Sequence, residues 1–386
     1  MTKFSFIDAE MKRRKKHHQL RQLRAIVPLS DATVSVGVGG GEMVNFCSND
    51  YMGLSKDPRL QERAVDFMER YGTGSTASRL ICGTYDCFVA VEEKLARLKG
   101  VESALILNSG FQANVSIIPI LVDSESLIIS DRLNHNSIIQ GIQLAGCQKT
   151  LYDHCNLEHL EQVLNENRDR GYSRTLIISE SVFSVDGDRC DIDGLMDLAE
   201  RHQAMLMVDE AHATGVVGDR GMGLTAGKNV DVTIGTFGKA LGSFGAYIAC
   251  SEQIKAYLIN CCAGFIYTTA LPPPVIGAID AALDLIPKME KERKALQDNA
   301  AFFRDALREL GYDTGNSTTQ IVPVIIGNEE ETLALSEQLG HDGFLATALR
   351  PPTVAPGQSR IRIALSAAHT REQIEQLIDV FRKWKL

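Results

Sequence analysis

The chain has 386 residues, with 40 Lys and Arg against 49 Asp and Glu, a formal charge of −9 and 44% hydrophobic residues. This balance excludes a surface ruled by attraction to phosphate backbones, and the ordinary apolar fraction excludes global disorder. A chain of this length is expected to form two or three domains around a large buried core, with no nucleic acid among its partners.

The N-terminus, Met1-Thr2-Lys3-Phe4-Ser5, lacks the basic segment and long apolar core of a secretion signal. No apolar run reaches the ~20 residues that span a bilayer. The nearest, Ser116–Val122, is interrupted by Pro119. A cytoplasmic location without a membrane partner is the expectation. The nine cysteines form no Cys-x-x-Cys pair and are odd in number, which fits reduced thiols better than a disulfide framework or a zinc site. No metal is expected.

Residues 7–24 have a helical pattern containing the basic run Lys12–His18, and residues 1–46 are expected to form an N-terminal helical arm. Such a run most often marks a solvated helix face, and its rival reading is a rim that attracts an anionic substrate. Further along, short aliphatic runs end in polar or glycine turns and lead into helical periods. Ala104–Leu107, Leu127–Ile129, Thr175–Ile178, Met205–Val208 and Val232–Ile234 follow this grammar. Apolar strands without polar alternation, separated by helices, predict an α/β fold with a mostly parallel sheet covered on both faces. In such sheets ligands bind beyond the carboxyl ends of the strands, where these polar turns fall. A large domain over 47–287 is expected. It is followed at 288–386 by a smaller α+β domain with strands near Thr319–Ile326 and Arg360–Leu365 and a closing helix from Thr370.

Three elements could carry chemistry. Asn108-Ser109-Gly110-Phe111 ends a strand and opens a helix, where free N–H groups and the helix dipole suit a phosphate. Asp209 closes an apolar strand, with His212 three residues on. Lys239 sits among glycines in Thr236-Phe237-Gly238-Lys239-Ala240-Leu241-Gly242. A partly desolvated lysine there is a nucleophilic amine able to hold an aldehyde cofactor. An acid at a neighbouring strand end would keep a pyridine nitrogen protonated.

Taken together, the motifs resemble the α-oxoamine synthase family of pyridoxal-phosphate (PLP) enzymes. They are Asn45–Leu54, Gly72–Ser75, Arg79–Thr84, Val182–Asp188, Thr236–Lys239, Arg360–Arg362 and Ser366–His369. The resemblance implies an aspartate-aminotransferase-like fold of PLP fold type I and a homodimeric acyltransferase with shared active sites. It further implies condensation of an amino acid with an acyl-CoA or acyl-carrier thioester, with release of carbon dioxide. Leu349-Arg350-Pro351-Pro352-Thr353-Val354 is similar to members that join alanine to a pimeloyl thioester in biotin biosynthesis, whereas Arg79–Thr84 also resembles glycine-using members.

By the same resemblance, Lys239 holds the cofactor, Asp209 pairs with its ring nitrogen, and His212 and Ser184 reach its ring oxygen. His135 stacks on the ring. Gly110, Phe111, Thr236 and, from the partner subunit, Thr268 surround the phosphate. Asn49 and Arg362 clamp the amino-acid carboxylate, a task that suits the planar fork of arginine. Alternation puts Arg360 on the same face as Arg362, so spacing alone does not choose between them. Arg21 and Thr353 fall to the acyl side. A scaffold that merely keeps the fold is the rival from another class, and it has no need of Lys239, Asp209 and His212 together.

Overall fold

The computed structural model describes residues 3–17, 19–37 and 39–385. It divides into two compact units: Asn49–Ser184 with Asp188–Ala295, and Met1–Ser48 with Val185–Gly187 and Leu296–Leu386. The division falls inside the helix Glu290–Glu309.

In the larger unit, seven strands form one sheet: β1 (Ser103–Leu107), β2 (Leu127–Asp131), β3 (Gln148–Tyr152), β4 (Thr175–Glu180), β5 (Met205–Asp209), β6 (Val232–Thr236) and β7 (Ala246–Cys250). Their order is β1-β7-β6-β5-β4-β2-β3. All neighbours are parallel except β7, which runs antiparallel to both β1 and β6. The sequence pattern finds five of these strands, each one or two residues short, because the polar residues that end them read as turn. It misses β3, a partly exposed edge strand of sequence Gln-Lys-Thr-Leu-Tyr. β7, the antiparallel return, also escapes it.

Residues alternate between the two faces of the sheet. Ile128, Leu176, Ile178 and Met207 pack with the helices Gly110–Leu121 and Asn136–Ala145. Leu127, Ile129, Ile177, Leu206 and Val208 pack on the other face with Leu157–Asn167 and Ile192–Arg201. By the period of two, Glu180 and Asp209 project to the first face and Asp131 to the second. On the first face the two helices meet closely at Gly141, where a Cβ would lie 2.6 Å from the carbonyl oxygen of Asn114. Glycine here permits the approach that brings the helix starts together.

The smaller unit holds a three-stranded antiparallel sheet, ordered Ile321–Gly327, Ser359–Ala364, Thr347–Leu349, and the helices Glu329–His341 and Arg371–Lys385. The N-terminal residues differ from the expected helical arm. The helix stops at Lys16, and Ile26–Pro28, Thr33–Val36 and Glu42–Asn45 are strands that share a sheet with Phe344–Leu345. The β-branched run Thr33-Val34-Ser35-Val36 and the positive-φ Gly37 and Gly39 favour a hairpin over a helix. Among the described residues no helix is long and apolar enough to cross a membrane.

Candidate active site

A cavity of about 290 Å³ opens in the larger unit, beyond the ends of β4, β5 and β6. Strand register levels its walls, since Glu180 lies opposite Asp209 and Asp209 opposite Ile234, two residues before Thr236. Asn49, Gly110, Phe111, His135, Asp209, His212, Thr236 and Lys239, expected from sequence, all line this cavity.

Lys239 lies in the loop between β6 and β7. Its Nζ is 2.7 Å from His212 Nε2. His212 Nδ1 is 2.7 Å from the Tyr51 hydroxyl, which donates to Asn49 Oδ1 at 3.0 Å. This order fixes the imidazole tautomer: Nδ1–H donates to Tyr51, and Nε2 is the acceptor that faces the lysine amine. The Asp209–Glu210 strand end and the turn after it hold His212 in place, as the Glu210 carbonyl accepts from both Ala213 N and Thr214 N at 3.0 Å.

Asp209 is buried, yet it has no cationic partner among the described residues. Its Oδ2 accepts from Asn114 Nδ2 at 2.8 Å and its Oδ1 from the backbone of Ala211 at 2.9 Å. Asn114 Nδ2 also donates to Ser137 Oγ at 2.9 Å, while Asn114 Oδ1 is buried without a hydrogen-bond partner among the described residues. The hydroxyl of Ser137 lies 2.7 Å from His135 Nδ1, which also accepts from Ser137 N at 3.2 Å. His135 caps the helix Asn136–Ala145, and its backbone N–H donates to Glu180 Oε1 at 2.5 Å. Burial lowers the pKa of His135, although Asp209 opposes the shift. Burial beside Asp209 holds the Glu180 carboxyl well above the usual carboxylate range.

The residues fit a phosphorylated pyridine aldehyde. An acid held by two amide donors at the cavity wall awaits a cationic ring nitrogen. A lysine amine stands across from it. The helix beginning at Gly110, capped by Ser109 Oγ accepting from Gln112 N, directs its N-terminus to the same cavity. A Cβ on Gly110 would lie 3.2 Å from Thr236 Cγ2, so glycine keeps these two walls open.

Not every expected residue gathers there. Ser184 and Thr268 are in the larger unit but are not among the lining residues; Thr268 Oγ1 accepts from Gln112 Nε2 at 2.8 Å. Arg21, Thr353 and Arg362 belong to the smaller unit. Arg21 donates to Thr353 Oγ1 at 3.4 Å, pairing two residues 332 positions apart. Arg360 is buried and bound to Asp186, whereas Arg362 on the same strand is half-buried. Sequence reasoning passed over Tyr51, Asn114, Ser137 and Glu180. The signal was present for Glu180, which ends an apolar strand as Asp209 does, and for Asn114, a polar residue on the apolar side of a helix.

A family model described as "Aminotransferase class I and II" matches residues 41–381. A chain of Desulfosudis oleivorans, provisionally named 8-amino-7-oxononanoate synthase, is 56% identical over 385 residues and spans 100% of both chains. The 8-amino-7-oxononanoate synthase of Gluconacetobacter diazotrophicus is 48% identical over 364 residues, covering 92% of this chain and 91% of that one. Among solved structures, Sphingomonas wittichii serine palmitoyltransferase superposes with a TM-score of 0.92 at 27% identity, over 100% of this chain and 98% of that one. The 8-amino-7-oxononanoate synthase of Francisella tularensis gives 0.76 at 28% identity, over 88% and 97%.

Proposed function

Because the chain belongs to the aminotransferase class I and II family, we propose that it is a PLP-dependent acyltransferase that condenses L-alanine with a pimeloyl thioester, the 8-amino-7-oxononanoate synthase reaction of biotin biosynthesis. A carbon–carbon bond forms while carbon dioxide and the thiol leave. The observation that carries the reading is the Lys239 amine, 2.7 Å from His212 Nε2, in one cavity with the buried acid Asp209, which has no cationic partner among the described residues.

PLP, when bound, supplies an electron sink for the substrate's α-carbon. Everything else falls to the chain. Asp209 holds the proton on the ring nitrogen, with Asn114 and the Ala211 amide orienting its carboxylate. His212 Nε2 accepts from the Lys239 amine and so keeps a lone pair turned toward the cavity. Lys239 binds the cofactor and then moves the α-proton. His135, neutral under its burial, offers a flat face to the ring. Gly110, Phe111 and Thr236 receive the phosphate, and Thr268 joins them from the second subunit of a homodimer. Asn49 and Arg362 take the amino-acid carboxylate; the commitment of Arg360 to Asp186 favours Arg362 in the pair. Arg21 and Thr353 face the acyl donor.

The closer superposition on serine palmitoyltransferase favours a second reading, serine with a long acyl thioester. Sequence identity favours the first. Thiol release is the test, with alanine, glycine or serine offered against pimeloyl-, acetyl- and palmitoyl-CoA. Alanine with pimeloyl-CoA is expected to give the highest kcat/KM. Discrimination by one methyl group is worth only about 1–3 kcal/mol, so glycine remains a measurable substrate. Fastest turnover of serine with palmitoyl-CoA, or of glycine with acetyl-CoA, overturns the proposal. Borohydride treatment of the PLP-loaded protein should fix the cofactor on the Lys239 peptide, and its recovery on another lysine refutes the site.

A further inference from the structure

A chain of hydrogen bonds behind His135 decides where its ring proton sits. It starts at Asp209. A carboxylate only accepts, so the atom of Asn114 that faces Asp209 Oδ2 at 2.8 Å is the amide nitrogen and not the amide oxygen. The second hydrogen of that nitrogen goes to Ser137 Oγ at 2.9 Å. With its oxygen engaged there, the Ser137 hydroxyl turns its own hydrogen to His135 Nδ1, 2.7 Å away. The backbone N–H of Ser137 reaches the same nitrogen at 3.2 Å, and a backbone N–H can only donate. Nδ1 therefore carries a lone pair, and the ring proton lies on Nε2.

Two features oppose a second proton. Nδ1 caps the helix Asn136–Ala145, where the free N–H groups and the helix dipole disfavour a cation. A proton on Nδ1 would also point at Ser137 Oγ and force the hydroxyl hydrogen away. Ser137 and Asn114 are both buried, and among the described residues the Ser137 oxygen has no side-chain partner besides Asn114 Nδ2 and His135 Nδ1. The displaced hydrogen would have no acceptor, which is costly in a buried place.

We propose that Ser137 is a positioning residue of the cofactor site, holding His135 as the neutral Nε2–H tautomer so that no cation lies against a protonated pyridine ring. The proposal rests on the reading of His135 as the residue that stacks on that ring. Ser137 acts through His135, and through Asn114 it also steadies the acid on the other side of the cavity. Other charged groups face the same imidazole. Asp209 favours a charge on it and Lys239 opposes one. Glu180, whose Oε1 takes the His135 backbone N–H, and His212 line the same cavity. Ser137→Ala leaves all four in place and removes only the hydroxyl.

The test is nitrogen-15 NMR of the histidine-labelled full chain without cofactor, as wild type and Ser137→Ala, across about pH 5 to 8. The His135 signals are assigned by their loss in His135→Gln. Wild-type Nδ1 should give the resonance of an unprotonated nitrogen at neutral pH, and this measurement stands whether or not the variant folds. In Ser137→Ala the His135 pKa should rise by about half to one unit, a three- to tenfold gain in proton affinity, roughly the worth of one lost hydrogen bond. A proton on Nδ1 in the wild type overturns the proposal, and so does a variant whose His135 titrates where the wild type's does. PLP affinity, read by absorbance at about pH 8 and about pH 6, tests the link to the cofactor. Ser137→Ala should lose affinity between the two by a larger factor than the wild type, because its His135 gains charge at the lower pH beside a cationic ring. The unpaired Asn114 hydrogen in the variant weakens binding at both pH values alike, so it leaves that ratio unmoved. An equal factor in the two proteins overturns the link. Failure of borohydride to fix PLP on the Lys239 peptide of the wild type refutes instead the cofactor site on which the proposal rests.

Discussion

Behind the cavity, Lys99 and Glu210 form an ion pair in which neither side chain is exposed. Lys99 Nζ contacts Glu210 Oε2, donates to Met222 O at 2.7 Å and meets Thr225 Oγ1 at 3.1 Å. Glu210 Oε1 accepts from Thr225 N at 2.9 Å, and a Cβ on Gly223 would lie 2.1 Å from Oε2, so no water can replace a lost partner without movement. Lys99→Met leaves a buried carboxylate with only the Thr225 donors. Breaking one side of such a pair costs about 3–5 kcal/mol, whereas removing both charges is often close to neutral. Lys99→Met and Glu210→Gln should each destabilise by about 3 kcal/mol or more, and the double variant by much less than their sum. Urea unfolding of all four proteins, with a common m-value, measures the coupling. Because the Glu210 carbonyl holds the turn that carries His212, the single variants should also lose PLP affinity. A double variant whose loss equals the sum of the singles would show that the pair does not act as a unit, and the reasoning would fail.

Three further outcomes are expected. His369 donates from Nε2 to Asn45 O at 3.1 Å and accepts Ser366 N on Nδ1 at 3.0 Å, and burial lowers its pKa from 6.5 to about 4. The unfolded state therefore binds the proton first, and about 3 kcal/mol of stability, complete above pH 6.5, is lost as the pH falls toward 4. His369→Asn, compared with the wild type in urea at neutral pH and about pH 5, should lose less stability across that interval. Asn114→Ala removes the side-chain donor to Asp209, leaving the Ala211 amide, and should weaken PLP binding about 10- to 100-fold in an absorbance titration, the worth of a charge-assisted hydrogen bond; unchanged affinity counts against Asp209 as the ring's partner. Gly235→Ala places a Cβ 2.2 Å from the Tyr247 ring inside the sheet and should lower the thermal midpoint by an amount equivalent to about 1–3 kcal/mol.

What the sequence disclosed follows from which interactions are local. Buried parallel strands declare themselves because every residue in them is apolar, and Asp209, Lys239 and Gly110 stand out because each interrupts such a pattern at a strand end. Edge strand β3 was hidden by its solvated face. Tyr51 and Ser137 were hard to read for another reason: each sits two positions from an expected site residue, Asn49 or His135, but its tie to the rest of the site runs through a partner 161 or 23 positions away, His212 or Asn114. The engagement of Arg360 with Asp186, remote from it in sequence, was equally illegible. The strands of residues 26–45 were lost in the shadow of the basic helix before them.

The antiparallel turn of β7 has a consequence for how the lysine is held. Thr236 and Ala246 are paired across the sheet, so the nine residues between them form a closed hairpin loop and not a crossover. Phe237 N bonds Gly245 O, Ser243 N bonds Phe237 O, and Gly242 N bonds Lys239 O, each at 2.9 Å. Lys239 therefore rides on a short tether fastened at both ends, whose length sets the reach of its amine as a gauge block sets a gap. The crossovers on either face of the sheet can absorb an added or deleted residue in their exposed turns, but this tether has no slack. A change of one residue in it could leave the sheet intact and still carry the amine away from His212, which makes loop length at 237–245 a constraint on chemistry separate from any constraint on folding.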